Sequence, residues 1–356
     1  MSKKDKLIVV AGGQFGSEAK GHVAIRLVDR GMGKGRDVLN VRVAGPNAGH
    51  SVVDNLGRKV AFRTLPVGTV RPGVRLAIAA GSEIDPQVLV TELELAKDHG
   101  YEIAGRLTVD PEATLIDRHH HTSEESMVGR IGSTGKGIGA ARADRLLRKA
   151  KRISDEPVWV KRLSEFGVEL ASFDPHSSEY ATDVIVEGTQ GYGLGLRAGY
   201  YPYCTSSDTR AIDFLAMAGL SPWDYDFDGK PEIWLAIRPY PIRVAGNSGP
   251  LFDETTWERL GLPEEYTTVT NKVRRVGRWD GDLVRRAVAA NGGTPAVRLA
   301  FTMLDQVKPE WAGLGLDEGK VVSNLHAING FLEQFELDAG APIRMATTSD
   351  RTGFFL

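Results

Sequence analysis

One cysteine in 356 residues, Cys204, rules out a disulfide framework. That fits a reducing compartment, and Cys204 itself reads as a small core residue. Positive charge is not in surplus either: 44 Lys and Arg face 46 Asp and Glu, so no global field exists to hold a nucleic-acid backbone or an anionic membrane. Partners that carry phosphate must be met by local sites. Long apolar runs are missing as well. The first, LIVVA at 7–11, is too short for a signal-peptide core or a spanning helix, so a cytoplasmic protein without a membrane or nucleic-acid partner is expected. Neither a fixed-period repeat nor a Pro/Ser-rich linker divides the chain. One elaborated α/β domain over 1–356 is therefore expected, with the polar stretch 151–180 as the place for an inserted subdomain.

What the chain has in excess is glycine, 41 residues. Glycines close or follow short apolar runs: LIVVAGG at 7–13, VLNVRVAG at 38–45, RLAIAAG at 75–81 and DVIVEGTQG at 183–191, joined by AVRLAFTMLD at 296–305. These read as buried parallel strands. Between them His22–Arg30, Pro86–His99, Ala140–Lys151 and Asp282–Asn291 repeat apolar residues three and four apart, the period of a helix with one buried face. Alternating strands and helices predict a doubly wound α/β fold. Its central sheet should be mixed but mostly parallel, with helices on both faces and inserted loops. The mixed character is expected from a hairpin, SVVDNLG and RKVAFRT at 51–64, that turns at Asn55-Leu56-Gly57.

Three glycine-rich segments carry the chemistry. In the first, LIVVA runs into Gly12-Gly13-Gln14-Phe15-Gly16-Ser17-Glu18-Ala19-Lys20-Gly21, a setting in which backbone N–H groups and a helix N-terminus cradle phosphate and Lys20 adds a point charge. The Walker string GxxxxGK[ST] is not met, because Ala19 precedes Lys20 and Gly21 follows it. Alone, this segment is explained equally well as an ordinary tight strand-to-helix connection. The second, Gly45-Pro46-Asn47-Ala48-Gly49-His50-Ser51, puts a histidine where α/β sheets bind ligands. The third, Ile131 to Gly139, offers the hydroxyls of Ser133 and Thr134 ahead of a helix with Arg142, Arg145 and Arg148. A metal site at His119-His120-His121 is disfavoured, because consecutive side chains diverge on helix or strand; a solvated or purine-facing turn is expected there.

Taken in order, GGQFGSEAKG, GPNAGHS, GSTGKGIG, VEGTQG, YPYCTSSDT, TNKVRRVG and TMLD resemble the signature segments of adenylosuccinate synthetase, and the likeness runs from residue 7 to 352. The resemblance implies a C–N-forming ligase on an α/β fold of the P-loop-NTPase kind. A nucleoside triphosphate phosphorylates the 6-oxygen of a purine nucleotide, and the amino group of L-aspartate then displaces phosphate, a far better leaving group. Positioning and a clamp on developing charge supply the catalysis. By position, Gly16, Ser17, Glu18, Ala19, Lys20 and Gly21 should hold the donor phosphates, completed by Gly49, His50, Ser51 and Arg274, with Asp305 reading the donor base. Mg2+ is expected near Ser17 and the Gly49 carbonyl. Asn47, Ser133, Thr134, Gln190, Thr205 and Lys272 match the purine monophosphate site. Arg148 matches an arginine that reaches that phosphate across a dimer interface, so a homodimer is implied. Thr268, Val269, Thr270 and Arg274 match the aspartate loop, with Arg275 as a further anchor. The implied catalytic residues are Ser17, Lys20, His50 and Gln190, with His50 a general acid.

Two departures from the family's pattern matter most; a third, smaller one puts Lys272 and Val273 where an arginine-rich loop is expected, and lysine keeps the charge without the planar fork. Where the family carries an aspartate that takes the purine N1 proton, this chain has Ser17. A hydroxyl is a poor base near neutral pH, but it is smaller, uncharged and able to accept from a 2-amino group. The serine resembles the phage branch of the family, which converts dGMP to succino-2-amino-2'-deoxyadenylate for 2-aminoadenine DNA and works in the host cytoplasm. Met303 stands where GTP-using members pack a lysine along guanine, which points to ATP or dATP rather than GTP as donor. The rival readings are an ordinary IMP-using synthetase, a P-loop-type kinase and a non-catalytic nucleotide-binding protein.

Overall fold

A computed structural model describes residues 4–267, 271–315 and 318–356, the last with backbone alone over 318–322. In chain order the strands are β1 Lys6–Gly12, β2 Asp37–Arg42, β3 His50–Val53, β4 Lys59–Phe62, β5 Arg75–Ile78, β6 Glu83–Ile84, β7 Leu107–Val109, β8 Thr114–Leu115, β9 Glu169–Leu170, β10 Thr182–Glu187, β11 Glu232–Ile237, β12 Ile242–Arg243, β13 Glu254–Thr255, β14 Arg275–Gly277, β15 Val297–Phe301, β16 Ile343–Thr347 and β17 Gly353–Phe355. The helices are α1 Lys20–Gly33, α2 Pro86–Asp98, α3 Arg118–Ile131, α4 Ile138–Leu146, α5 Pro157–Ser164, α6 Ala211–Ala218, α7 Trp257–Leu260, α8 Gly281–Ala290 and α9 Glu318–Ala339.

Ten of the described strands form one sheet in the order β17-β16-β15-β11-β1-β10-β2-β5-β7-β9. Its pairings are parallel except that of β16 with β17. The alternation along β1 builds a core on each face. Leu7, Val9 and Ala11 pack with α6, α8 and α9, whereas Ile8 and Val10 pack with α1 and α2. Because β1 lies between β10 and β11, the loop leaving its C-terminal end opens at a point where the chain departs to either side, the usual place for a ligand crevice.

The hairpin forms, but it does not join the sheet. β3 and β4 make a sheet of their own, with Val52, Val60 and Phe62 packed into the core on the α1 side, and the mixed character comes from β17 instead. The stretch 151–180 supplies α5 and the edge strand β9, and its Ile153, Leu163 and Val168 enter the same core. α4 stops at Leu146 rather than Lys151. The amides of Lys149 and Ala150 turn back to the Asp144 carbonyl, and Arg148 takes a left-handed φ of 60°.

The three histidines lie in the first turn of a helix, α3, and not in a loop turn. Asp117 caps that helix, and His120 closes the cap: its Nδ1 accepts the Asp117 amide at 2.8 Å. Nδ1 thereby keeps its lone pair, so the proton of neutral His120 sits on Nε2, which faces Asp144 at 3.2 Å. A protonated Nε2 is no metal ligand, and the grouping of His119, His120 and Asp144 is a hydrogen-bonded cluster. Among the described residues, no helix is long and apolar enough to cross a membrane.

Candidate active site

Loops from the C-terminal ends of β1, β2, β10, β11 and β15 enclose a cavity of about 620 Å³. Its wall brings together Gly16 to Gly21, Asn47, Gly49, His50, Ser51, Ser133, Thr134, Gln190, Thr205, Lys272, Arg274 and Asp305. Arg148 is not part of the wall. It is exposed beyond the end of α4, and its Nη1 donates to the Leu146 carbonyl at 3.1 Å. Thr268, Val269 and Thr270 fall outside the described residues.

The first loop is held from within. Glu18 is fully buried; its Oε1 accepts the amides of Gly16 at 2.6 Å and Gln14 at 3.2 Å, and its Oε2 meets Lys20 Nζ at 2.7 Å. The Glu18 side chain therefore serves the loop rather than a phosphate. Ser17, at φ 57°, stays exposed at the cavity beside the N-terminus of α1, whose first amides have no intrahelical acceptor. Gln14 anchors the loop to the end of β11: its Nε2 donates to the Arg238 carbonyl at 2.9 Å, and its Oε1 accepts the Arg238 amide at 3.0 Å.

His50 faces inward. Its Nε2 donates to the Leu65 carbonyl at 2.9 Å, and its Nδ1 lies 2.9 Å from Glu187 Oε2, at ion-pair distance but without hydrogen-bond alignment. Burial and then Arg42 push the imidazole pKa down, while Glu187 works against them. Burial would raise the Glu187 carboxyl, but His50 and Arg42 outweigh it and hold the group below the usual range. For His50 to act as an acid on a ligand, its ring must leave these partners.

The surroundings of Arg274 are also braced. Arg238, fully buried, donates through Nη1 to the Ser17 carbonyl at 3.2 Å and to Glu265 at 3.0 Å, while its Nη2 reaches Glu265 and Gln306. Arg274 Nη1 lies 3.5 Å from Glu265, and its Nε is buried without a partner among the described residues. Burial raises the Glu265 carboxyl, yet Arg238 and Arg274 hold it below the usual range. Arg275 is not an open anchor: Glu254 grips its Nε at 2.7 Å and its Nη2 at 2.5 Å. The helix arginines are taken as well, Arg142 by Glu83 and Arg145 by Glu112, so neither is offered to a ligand. Asp305 keeps a buried Oδ1 without a partner among the described residues, beside Met303 in the cavity wall; burial and then Asp350 push its pKa up.

A family model described as adenylosuccinate synthetase matches residues 9–165 and 158–310. The adenylosuccinate synthetase of Thermococcus sibiricus is 36% identical over 344 residues, covering 96% of this chain and 95% of the relative. This chain belongs to the adenylosuccinate synthetase family. The adenylosuccinate synthetase of Methanocaldococcus jannaschii is 34% identical over 347 residues, covering 96% of this chain and 93% of the relative. Among solved structures, the succinoaminodeoxyadenylate synthetase of cyanophage S-2L, bound to dGMP and dATP as an energy donor, is similar with a TM-score of 0.75 and 25% identity, covering 99% of this chain and 95% of that one. Fully ligated adenylosuccinate synthetase from Plasmodium falciparum has the same TM-score, 0.75, at 18% identity, covering 99% and 100%, and shows the shared fold. The chain is thus a C–N-forming ligase of small-molecule substrates, in a family that uses a nucleoside triphosphate and Mg2+.

The donor set of this site fits a metal brought in with a nucleotide. Ser17 and the Gly49 carbonyl are exposed neutral oxygens at the cavity, while the Glu18 carboxylate is committed inward. Mg2+ binds such sites through phosphates and waters with few protein ligands, and it would neutralise charge on the transferring phosphoryl group.

Several site residues were not singled out from sequence. Arg42, nearly buried, donates to the Gly188 and Ala48 carbonyls, each at 3.1 Å, and so ties the second loop to the GTQG turn. Thr189 has a buried hydroxyl without a partner among the described residues, and Arg238 and Arg243 are buried beside or in the wall. Cys204 lines the cavity, half-buried, rather than filling the core. A signal did exist: each arginine is a single charge in an apolar run, VLNVRVAG, WLAIRPY or PIRVAG, and buried charges need a purpose.

Proposed function

We propose that this protein joins L-aspartate to the 6-position of dGMP, giving succino-2-amino-2'-deoxyadenylate, with ATP or dATP as phosphoryl donor. The observation that carries the reading is Ser17. The first loop presents a hydroxyl to the cavity while its carboxylate, Glu18, is buried and fully engaged. A 2-amino group therefore meets an acceptor of modest size and no negative charge. Similarity to the cyanophage synthetase bound to dGMP and dATP supports the same choice.

In this reading Lys20 and the α1 amides take the donor phosphates, and the purine 6-oxygen attacks the terminal phosphorus, expelling the nucleoside diphosphate while the purine N1 releases its proton to solvent. Gln190, at the cavity wall, and His50, once released from Glu187, hold the 6-oxygen. The aspartate amine then displaces phosphate while Arg274, leaving Glu265, receives an aspartate carboxylate. Asp305 Oδ1 is an acceptor for the amino group of the donor base, and Met303 supplies apolar surface where a cation would favour guanine. A homodimer is supported by Leu146 and Leu147, 75% and 60% exposed beside Arg148, which leaves that arginine free to reach a neighbouring cavity. The expected setting is the cytoplasm, that of the host if the gene is a phage's.

The test is a matrix of IMP, dIMP, GMP and dGMP against ATP, dATP and GTP, read as aspartate-dependent phosphate release. dGMP with ATP or dATP should lead. Strong preference for IMP would return the chain to the ordinary synthetase reaction of its 34–36% identical relatives, and transfer that ignores aspartate would make it a kinase.

A further inference from the structure

Arg243 is a buried cation that nothing so far has used. It is 2% exposed, sits at the end of β12 and lines the cavity. Its Nη2 donates to the Tyr203 carbonyl at 2.7 Å and its Nη1 to the Pro250 carbonyl at 3.2 Å. The guanidinium lies over the Phe15 ring, 4.5 Å from its centroid. Nε is buried and has no partner among the described residues. The contrast with its neighbours is sharp: Arg42 has Glu187, Arg238 has Glu265 and Arg275 has Glu254, whereas the described residues give Arg243 no carboxylate. Burial, then Arg275, pushes its pKa down to about 10, so it stays charged at neutral pH.

An uncompensated charge out of water is costly unless an anion is meant to approach it. The cavity wall around Arg243 names that anion. Tyr203, whose carbonyl it grips, leads into Cys204, Thr205 and Ser206, and the residue after it, Val244, packs against the loop of Ser133 and Thr134: a Cβ on Gly132 would lie 3.3 Å from Val244 and 3.0 Å from Ser248. Two hydroxyl-bearing loops thus flank the segment that carries Arg243, one gripped by the arginine itself and the other packed on Val244 and Ser248. Hydroxyls and a fixed positive charge without a paired carboxylate suit a phosphate monoester dianion.

We propose that Arg243 is the positive charge, supplied by the same chain, that positions the 5'-phosphate of the purine nucleotide, by holding the Tyr203–Thr205 segment in place and setting the potential at that end of the cavity. This rests on the reading that the cavity takes a purine monophosphate, whichever purine it is. Arg243 is a positioning residue and not a catalytic one.

The experiment uses the full-length enzyme and whichever of dGMP or IMP the wild type turns over best, so failure of the dGMP reading leaves it intact. Arg243→Met should raise KM for the monophosphate roughly 10- to 100-fold, the scale of one charge-assisted contact, with KM for ATP within about threefold and affinity for the unphosphorylated nucleoside unchanged. Arg243→Lys keeps the charge, and should restore most of the monophosphate KM. An unchanged monophosphate KM in Arg243→Met overturns the proposal. So does an equal loss for monophosphate, nucleoside and ATP, which marks a structural role. Should Arg243→Met not fold, Arg243→Lys decides: a folded Lys variant whose monophosphate KM stays within about 30-fold of the wild type bears the proposal out, and a larger rise overturns it, because a positive charge at this position then does not suffice to hold the phosphate.

Discussion

The Lys20 ammonium lies 2.7 Å from Oε2 of Glu18, and Oε1 of the same carboxylate accepts the Gly16 amide at 2.6 Å. Before any ligand arrives, the cation of the glycine-rich loop is already neutralised from inside the loop. Glu18→Gln leaves a part-buried ammonium without its counter-charge. Its expected cost is about 1–3 kcal/mol in denaturant unfolding, the usual penalty for a charged donor that loses its partner. Wild-type stability in that variant would show that the loop is held by something else.

Ser17→Asp restores a carboxylate at the cavity. With the substrate proposed above, turnover of dGMP should fall by roughly 10- to 100-fold, because the 2-amino group loses its space and its fit, while any residual IMP turnover falls less or rises. The reverse order in kcat/KM for the two nucleotides would remove the steric argument.

His22 faces the cavity from the first turn of α1, buried beside Arg26. Burial first, and Arg26 second, push its pKa down to about 4. In the unfolded chain the value returns to about 6.5, so between these limits the unfolded state binds a proton that the folded state refuses. Stability present at neutral pH is therefore lost as pH falls from about 6.5 to about 4. Thermal midpoints of His22→Gln should decline less steeply over that window than those of the wild type; parallel curves would sink the assignment.

Gly188, in the turn after β10, has no room for a side chain: a Cβ there would lie 2.2 Å from Cε2 of the fully buried Phe214. Gly188→Ala should destabilise by about 1–3 kcal/mol through overpacking. Adding Phe214→Leu should recover part of that loss in a double-variant cycle, and strictly additive losses would mean that the two sites do not touch.

The strand ends and the loops they feed were legible because each apolar run is short and most of them meet a glycine. α3 was not. Its sequence, RHHHTSEESMVGRI, buries His120 and Glu124 rather than an apolar stripe, so the period that betrays a helix is missing and the cap at Asp117 is the main signal. The fate of the arginines was equally hidden. Arg274 and Arg275 are adjacent and look alike, yet one lines the cavity and the other is spent on Glu254, 21 positions away and paired only through the antiparallel register of β13 and β14. Arg42 and Arg243 are held by backbone carbonyls, which leave no trace in residue type.

Arg238 touches the Ser17 carbonyl, Glu265 and Gln306 at once. The first belongs to the loop proposed for phosphate, the second braces the arginine proposed for aspartate, and the third adjoins the proposed reader of the donor base. A ligand that pulls Arg274 from Glu265 redistributes the charge around Arg238 and so reaches the other two. Their affinities then cannot be independent. Whatever factor aspartate applies to the dissociation constant of the triphosphate, the triphosphate must apply to that of aspartate, because both bias one shared guanidinium.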